Sequence, residues 1–167
     1  MLSSNLKVVD VLKKMAFLCE LEGENPFKVR AYQRAADIIS SLERDISEIS
    51  DEELLRIKGI GKSLLEHIRD IVKKGSFDEF DKLSKKYPAS IFELAEIPGL
   101  GAKRVKILYE RLSIDTRDKL YKAAKNGDIS KLDGFGPKIE QNIIEAIEKG
   151  FSSEKRFLYS VAKKTAE

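Results

Sequence analysis

The chain has 167 residues and a mass of 18.9 kDa, with 31 Lys and Arg against 28 Asp and Glu, a net charge of +3 and an isoelectric point near 8.8. That balance excludes a polybasic or polyacidic tail, and 42% apolar residues exclude a chain disordered throughout. A single cysteine, Cys19, excludes an internal disulfide, and charges interrupt every apolar run before the roughly 18 residues that a membrane span needs. The N-terminus lacks the basic-then-apolar pattern of a signal peptide, which points to a soluble, cytoplasmic protein, expected to be a monomer. The length suits one compact domain or two small ones of roughly 75 residues each.

Apolar residues recur at helical spacing from the start, with Leu6, Val9, Leu12, Met15 and Phe17 following a capping Ser4 or Asn5. Asn25 and Pro26 open a second helix, expected to turn Phe27, Tyr32, Ala35, Ile38 and Ile39 inward and Lys28, Arg30 and Arg34 outward. Ser50 with Glu53 has the spacing of a capping box ahead of a short helix ending near Ile57. A longer helix follows from Lys62 to Lys74, closed by Gly75. The same spacing recurs at Ser76 with Glu79 and at Ser90 with Glu93, the latter opening a short helix that stops at Ile97 and Pro98. Further helices are predicted over about 101–111, 116–125, 137–149 and 154–165. No stretch has the period of two that marks a strand, so the chain reads as all-α.

The most informative feature is an internal repeat: Ile57-Lys58-Gly59-Ile60-Gly61-Lys62, Ile97-Pro98-Gly99-Leu100-Gly101-Ala102 and Leu132-Asp133-Gly134-Phe135-Gly136-Pro137. The first glycines are 40 and then 35 residues apart, and each copy feeds an amphipathic helix with a basic residue in its first turn. A loop this short between two helices demands backbone angles that a Cβ obstructs, so glycine is expected at positive φ. The apolar residue between the glycines, Ile60, Leu100 or Phe135, would plug the space between the helices. The second glycine falls at the next helix start, where amides lack intrahelical acceptors and the dipole is positive. A phosphate fits there, with Lys62, Lys103, Arg104 and Lys138 adding attraction, and such a contact sees no base edge.

Other phosphate-binding patterns fail on spacing. A Walker loop ending at Gly61-Lys62-Ser63 would need glycine where Arg56 stands, and a dinucleotide fingerprint would need a third glycine at Leu64, Arg104 or Ile139. The bland alternative is a tight helix–helix turn without a ligand, which three copies with basic first turns make the weaker reading.

These residues resemble the tandem helix-hairpin-helix region at the N-terminus of family X DNA polymerases, particularly the bacterial and archaeal type. The likeness covers about 150 residues: Gly23-Glu24-Asn25-Pro26-Phe27-Lys28 with Arg30, Tyr32 and Ala35-Ala36, then the glycine hairpins at 59–61, 98–101 and 134–136. The resemblance implies an all-α fold of tandem helix-hairpin-helix units in two small domains, 1–75 and 76–150, with 151–167 a basic connecting helix. It also implies that the first domain grips the downstream side of a DNA gap and the second the upstream side. Gly59, Gly61 and Ser63 would hold one backbone, Gly99, Gly101 and Arg104 another, with Gly134, Gly136 and Lys138 forming a third hairpin. Lys28, Arg30 and Arg34 would add DNA contacts. Resemblance alone suggests Na+ or K+ at the backbone carbonyls of Leu55, Ile57 and Ile60 and of Ala95, Ile97 and Leu100.

Two departures from the family bear on activity. Only 17 residues follow Gly150, too few for the palm domain whose acidic residues hold magnesium, so polymerisation is not expected from this chain alone. The Schiff-base lysine of the family's 5'-deoxyribose-phosphate lyase falls at His67, and an imidazole cannot form the iminium that a primary amine forms. Lys62 and Lys28 remain as weak lyase candidates, and His67 reads as a boundary position beside Leu64, Ile68 and Ile71. Tyr32, Phe77, Phe80, Phe92 and Tyr109 fall at core spacing, and Cys19 has no partner at metal-ligand spacing.

Residues 1–75 hold 13 basic and 13 acidic side chains, and residues 76–150 hold 14 and 13. Attraction to DNA must then come from local clusters, with release of about two to four counterions. Acidic Asp78, Glu79 and Asp81 are expected to lie away from DNA. The sequence therefore predicts a sequence-nonspecific DNA-binding module for gapped, nicked or bent duplex in DNA repair, with a weak lyase or a helical protein-interaction scaffold as alternatives.

Overall fold

The computed structural model describes residues 2–150. The helix expected over 154–165, with Lys155, Arg156, Lys163 and Lys164, lies outside them. Among the described residues every regular element is a helix. The chain divides into two compact units, Met1–Ala89 and Ser90–Glu167.

In the first unit, α1 (Ser3–Leu21) packs along α2 (Pro26–Ser40) and against α4 (Lys62–Lys74), with α3 (Asp51–Arg56) and α5 (Asp78–Ser84) completing it. Leu12, Met15, Leu18, Leu21, Ala35, Ala36, Ile39, Leu54, Ile68 and Ile71 are fully buried and form the core. Two expected core members are outside it: Leu6 is 51% exposed and Phe27 75% exposed. Asn5, expected as a cap, is instead buried, donating from Nδ2 to the Arg44 carbonyl (3.0 Å) and accepting from the Ile46 amide (2.7 Å). It pins the 3-10 turn Ile46–Glu48 against α1. Arg69 on α4 clamps the same stretch, donating to Asp51 (2.7 Å) and to the carbonyls of Ile46 and Ile49.

Of the three expected capping boxes only Ser50 caps, accepting from the Glu53 amide at 3.2 Å. Ser76 donates to Asp81 while Phe77 takes the N-cap position, and Ser90 makes no side-chain cap. Phe77 is buried and stacks on His67 at 4.1 Å between ring centroids, with Tyr32 at 6.3 Å from both. That aromatic cluster ties Phe77, just after Gly75, to α2 and α4 within the unit that ends at Ala89.

The second unit contains α6 (Ile91–Ala95), α7 (Ala102–Leu112), α8 (Arg117–Lys125) and, among the described residues, α9 over 137–150. Ile91, Leu94, Val105, Leu108, Leu120, Ile129, Ile143 and Ile147 are its buried centre. Thr116 caps α8, accepting from the Lys119 amide at 3.1 Å.

Candidate nucleic-acid interface

The three repeats fold into one construction. In each, the residue two before the first glycine donates its amide to a buried apolar residue three back: Ile57 to Leu54 (3.1 Å), Ile97 to Leu94 (3.2 Å), Leu132 to Ile129 (3.0 Å). The plug residue then donates to that donor's own carbonyl: Ile60 to Ile57, Leu100 to Ile97 and Phe135 to Leu132, each at 3.1 Å. Ile60, Leu100 and Phe135 are buried as expected. The first glycines sit at positive φ: +107° at Gly59, +89° at Gly99 and +84° at Gly134. The second glycines behave differently. Gly61 (φ −98°) and Gly101 (φ −86°) have ordinary extended backbone, and no atom lies within 4 Å of where a Cβ would stand at Gly61, Gly101 or Gly136. A valine at 101 would therefore not block the turn. The turn requires the first glycine, and nothing among the described residues requires the second.

Gly61 and Gly101 are N-caps without side chains, so no side-chain cap covers the first-turn amides of α4 and α7, and neither first turn contains an acidic residue. Ser63, Lys62 and Lys103 are exposed beside them. Among the described residues no ion pair holds either lysine. Arg104 donates to the Gly99 carbonyl at 2.7 Å, bracing its own loop, and its guanidinium lies 5.9 Å from the Phe135 ring centroid.

The third hairpin departs from the other two. A single turn at 129–132 replaces the short helix that precedes the other loops. Pro137 at the first position of α9 has no N–H to offer. Glu140, one turn in, accepts from the Ser130 amide at 2.8 Å, and Asp133 precedes Gly134, so carboxylates stand where the other hairpins have none.

Around the first hairpin, α2 supplies the basic side chains. Lys28, Tyr32, Gly61, Ser63, His67 and Glu79 line one cavity of about 400 Å³. The Arg34 stem packs on Gly59, where an added Cβ would meet Arg34 Cδ at 3.2 Å and Ile38 Cδ1 at 2.9 Å. Arg30 lies elsewhere on the helix, over the exposed Phe27 ring at 4.8 Å. Lys28 is bonded to Glu79 and stands 3.6 Å from Glu24, so Glu79, expected away from the site, lines its cavity. The hydrogen bond to Glu79 raises the Lys28 pKa, which keeps it an ammonium and not the free amine a Schiff base needs. Burial lowers the His67 pKa, consistent with a neutral ring stacked on Phe77. Burial also pushes the Cys19 thiol up to about 11, the signature of an inert core cysteine. Among the described residues no group of three or more His, Cys, Asp and Glu is placed to hold a metal, and no helix is long and apolar enough to cross a membrane. The carbonyls of Ile57 and Ile97 each already accept one hydrogen bond within the loop, which leaves each a second lone pair for a cation.

The exposure of Phe27 and the pairing of Glu79 with Lys28 escaped the sequence reading. The first was detectable: Phe27 lies two residues, or roughly 200° of helix, from Val29 on the buried stripe. The second carries no sequence signal, because 51 residues separate the partners.

Two units, each built on glycine hairpins that join helices, define a tandem helix-hairpin-helix protein. Comparison with known families agrees: residues 3–77 match the helix-hairpin-helix domain, and residues 91–149 match the SAM-like helix-hairpin-helix tandem. Each half of the chain thus carries a helix-hairpin-helix match, and together they match the N-terminal region of bacterial PolX. It is 31% identical over 150 residues, 90% of its length, to the DNA polymerase/3'-5' exonuclease PolX of Bacillus subtilis (strain 168). Over 80 residues, 44% of its length, it is 39% identical to the DNA ligase of Clostridium botulinum (strain 657 / Type Ba4). The matched regions span 26% of the first relative and 12% of the second.

Proposed function

We propose that the chain is a sequence-nonspecific DNA-binding module that holds the phosphate backbone of gapped, nicked or bent duplex, as the non-catalytic part of a family X-like repair polymerase. The observation that carries this reading is the second glycine of each hairpin. The backbone there is ordinary and the space for a side chain is open, so whatever requires a bare backbone approaches from outside. A serine or aspartate N-cap would turn its own oxygen onto the first-turn amides, and glycine leaves those donors to a ligand. Lys62 and Lys103 flank the two open helix starts, and Lys28 and Arg34 reach the first from α2. A Na+ or K+ held by the carbonyls of Leu55, Ile57 and Ile60, and of Ala95, Ile97 and Leu100, would share a phosphate oxygen with the amides.

Amides see no base, so affinity should not follow sequence, while a gap or nick lowers the cost of bending DNA into two separated cradles. Fluorescence anisotropy on intact, nicked and gapped duplexes of two unrelated sequences, at two salt concentrations, tests this. Affinities should agree between sequences within about twofold, rank gapped above intact, and fall with salt as about two to four counterions are released. Salt-insensitive binding, or none, would favour a protein-interaction scaffold.

A further inference from the structure

Resting on the reading above, we propose that Glu79 is an internal competitor of DNA at the first hairpin: its carboxylate holds Lys28 until a backbone phosphate displaces it. The two side chains meet inside the cavity that also exposes Gly61 and Ser63 at the open start of α4. Each is about one-third exposed, with side-chain exposures of 33% and 38%, so the pair is reachable from solvent and exchangeable. Lys28 is thereby unlike Lys62 and Lys103, which no carboxylate holds among the described residues.

Glu79 is fixed from its own side. It sits in the first turn of α5, directly after Phe77, whose ring is buried against His67 on α4. The stack anchors the start of α5 to the second turn of α4, and Glu79 lines the same cavity as Gly61 and Ser63 at the start of α4. An incoming phosphate offers Lys28 the same kind of oxygen acceptor that Glu79 offers, so the exchange conserves the charge-assisted bond. Lys28 therefore adds no net bond when DNA engages, and each engagement of the first hairpin is weakened by the bond to Glu79 that must first be broken. The first cradle is set to a lower affinity than its amides and lysines alone would give.

The test is gapped-duplex binding by the full chain carrying Glu79→Gln, Asp78→Asn, Lys28→Ala, or Lys28→Ala with Glu79→Gln, each checked by circular dichroism. Asp78 is the neighbouring carboxylate, is paired with Lys74 and lines no part of the cavity, so Asp78→Asn measures what removal of any nearby negative charge does. Glu79→Gln should tighten binding about three- to fivefold beyond Asp78→Asn and steepen the salt dependence by about one counterion. In the Lys28→Ala background the Glu79→Gln gain should shrink to that of Asp78→Asn. Equal gains for Glu79→Gln and Asp78→Asn, or a gain that persists without Lys28, would overturn the proposal. Lys103→Ala separates the two ideas: if it weakens binding while Glu79→Gln changes nothing, the hairpins bind DNA and the competitor role alone falls. If Lys103→Ala is also silent, the DNA-binding reading falls with it.

Discussion

A glycine in these hairpins does one of two jobs, and the backbone angles say which. Gly99 holds φ at +89° with open space around it, so alanine there incurs only the left-handed backbone penalty of about 1–2 kcal/mol. Gly59 holds φ at +107° and also faces Ile38 Cδ1 at 2.9 Å, so alanine there adds a steric clash to the same strain. Chemical denaturation should therefore rank Gly59→Ala as more destabilising than Gly99→Ala, and both as clearly below wild type. A Gly99→Ala variant as stable as wild type would contradict the assignment. The repeat and its plugs were legible in sequence because the spacing of glycine and apolar residues is itself the turn's requirement. The difference between first and second glycine was not, since both are the same letter and only φ distinguishes them.

At the scale of the element, the three hairpins share a fold but not a chemistry. The Gly-apolar-Gly pattern equates them, whereas Pro137 removes a donor at the start of α9, and Glu140 and Asp133 bring negative charge to it. Lys138→Ala should accordingly change affinity for gapped duplex by less than about twofold, while Lys103→Ala should weaken it about three- to tenfold and lower the salt slope by about one. Equal losses from the two substitutions, read by anisotropy, would restore the third hairpin as a full partner. Helix positions were legible because apolar periodicity and helix ends are local. What the sequence hid was tertiary: Asn5 reads as a cap near a helix start, yet it is buried and bonded to Arg44 and Ile46, about 40 residues away. Ser76 carries the letters of a capping box, but Phe77 is drawn into the core against His67 and the helix start moves with it, while Ser90 keeps the N-cap place with helical backbone and no side-chain cap.

For the whole molecule, net charge is a poor guide to binding, because acidic and basic residues nearly cancel within each half of the chain. Affinity must depend on where donors are left open, and the two open helix starts, at Gly61 and Gly101, lie in separate compact units. On the proposed reading, two cradles on one chain would give a bivalent grip, in which the second contact is intramolecular once the first is made. The most direct measurement is therefore the affinity of the Gly61→Asp/Gly101→Asp chain for gapped duplex at low salt, beside its denaturation midpoint. Aspartate is a good N-cap, so it folds its carboxylate onto the first-turn amides and leaves the helices intact. Stability equal to or above wild type, with binding reduced more than about 100-fold, is the predicted result for two lost cradles. Undiminished binding by the stable double variant would mean that DNA does not use the helix-start amides, and the central claim would be wrong.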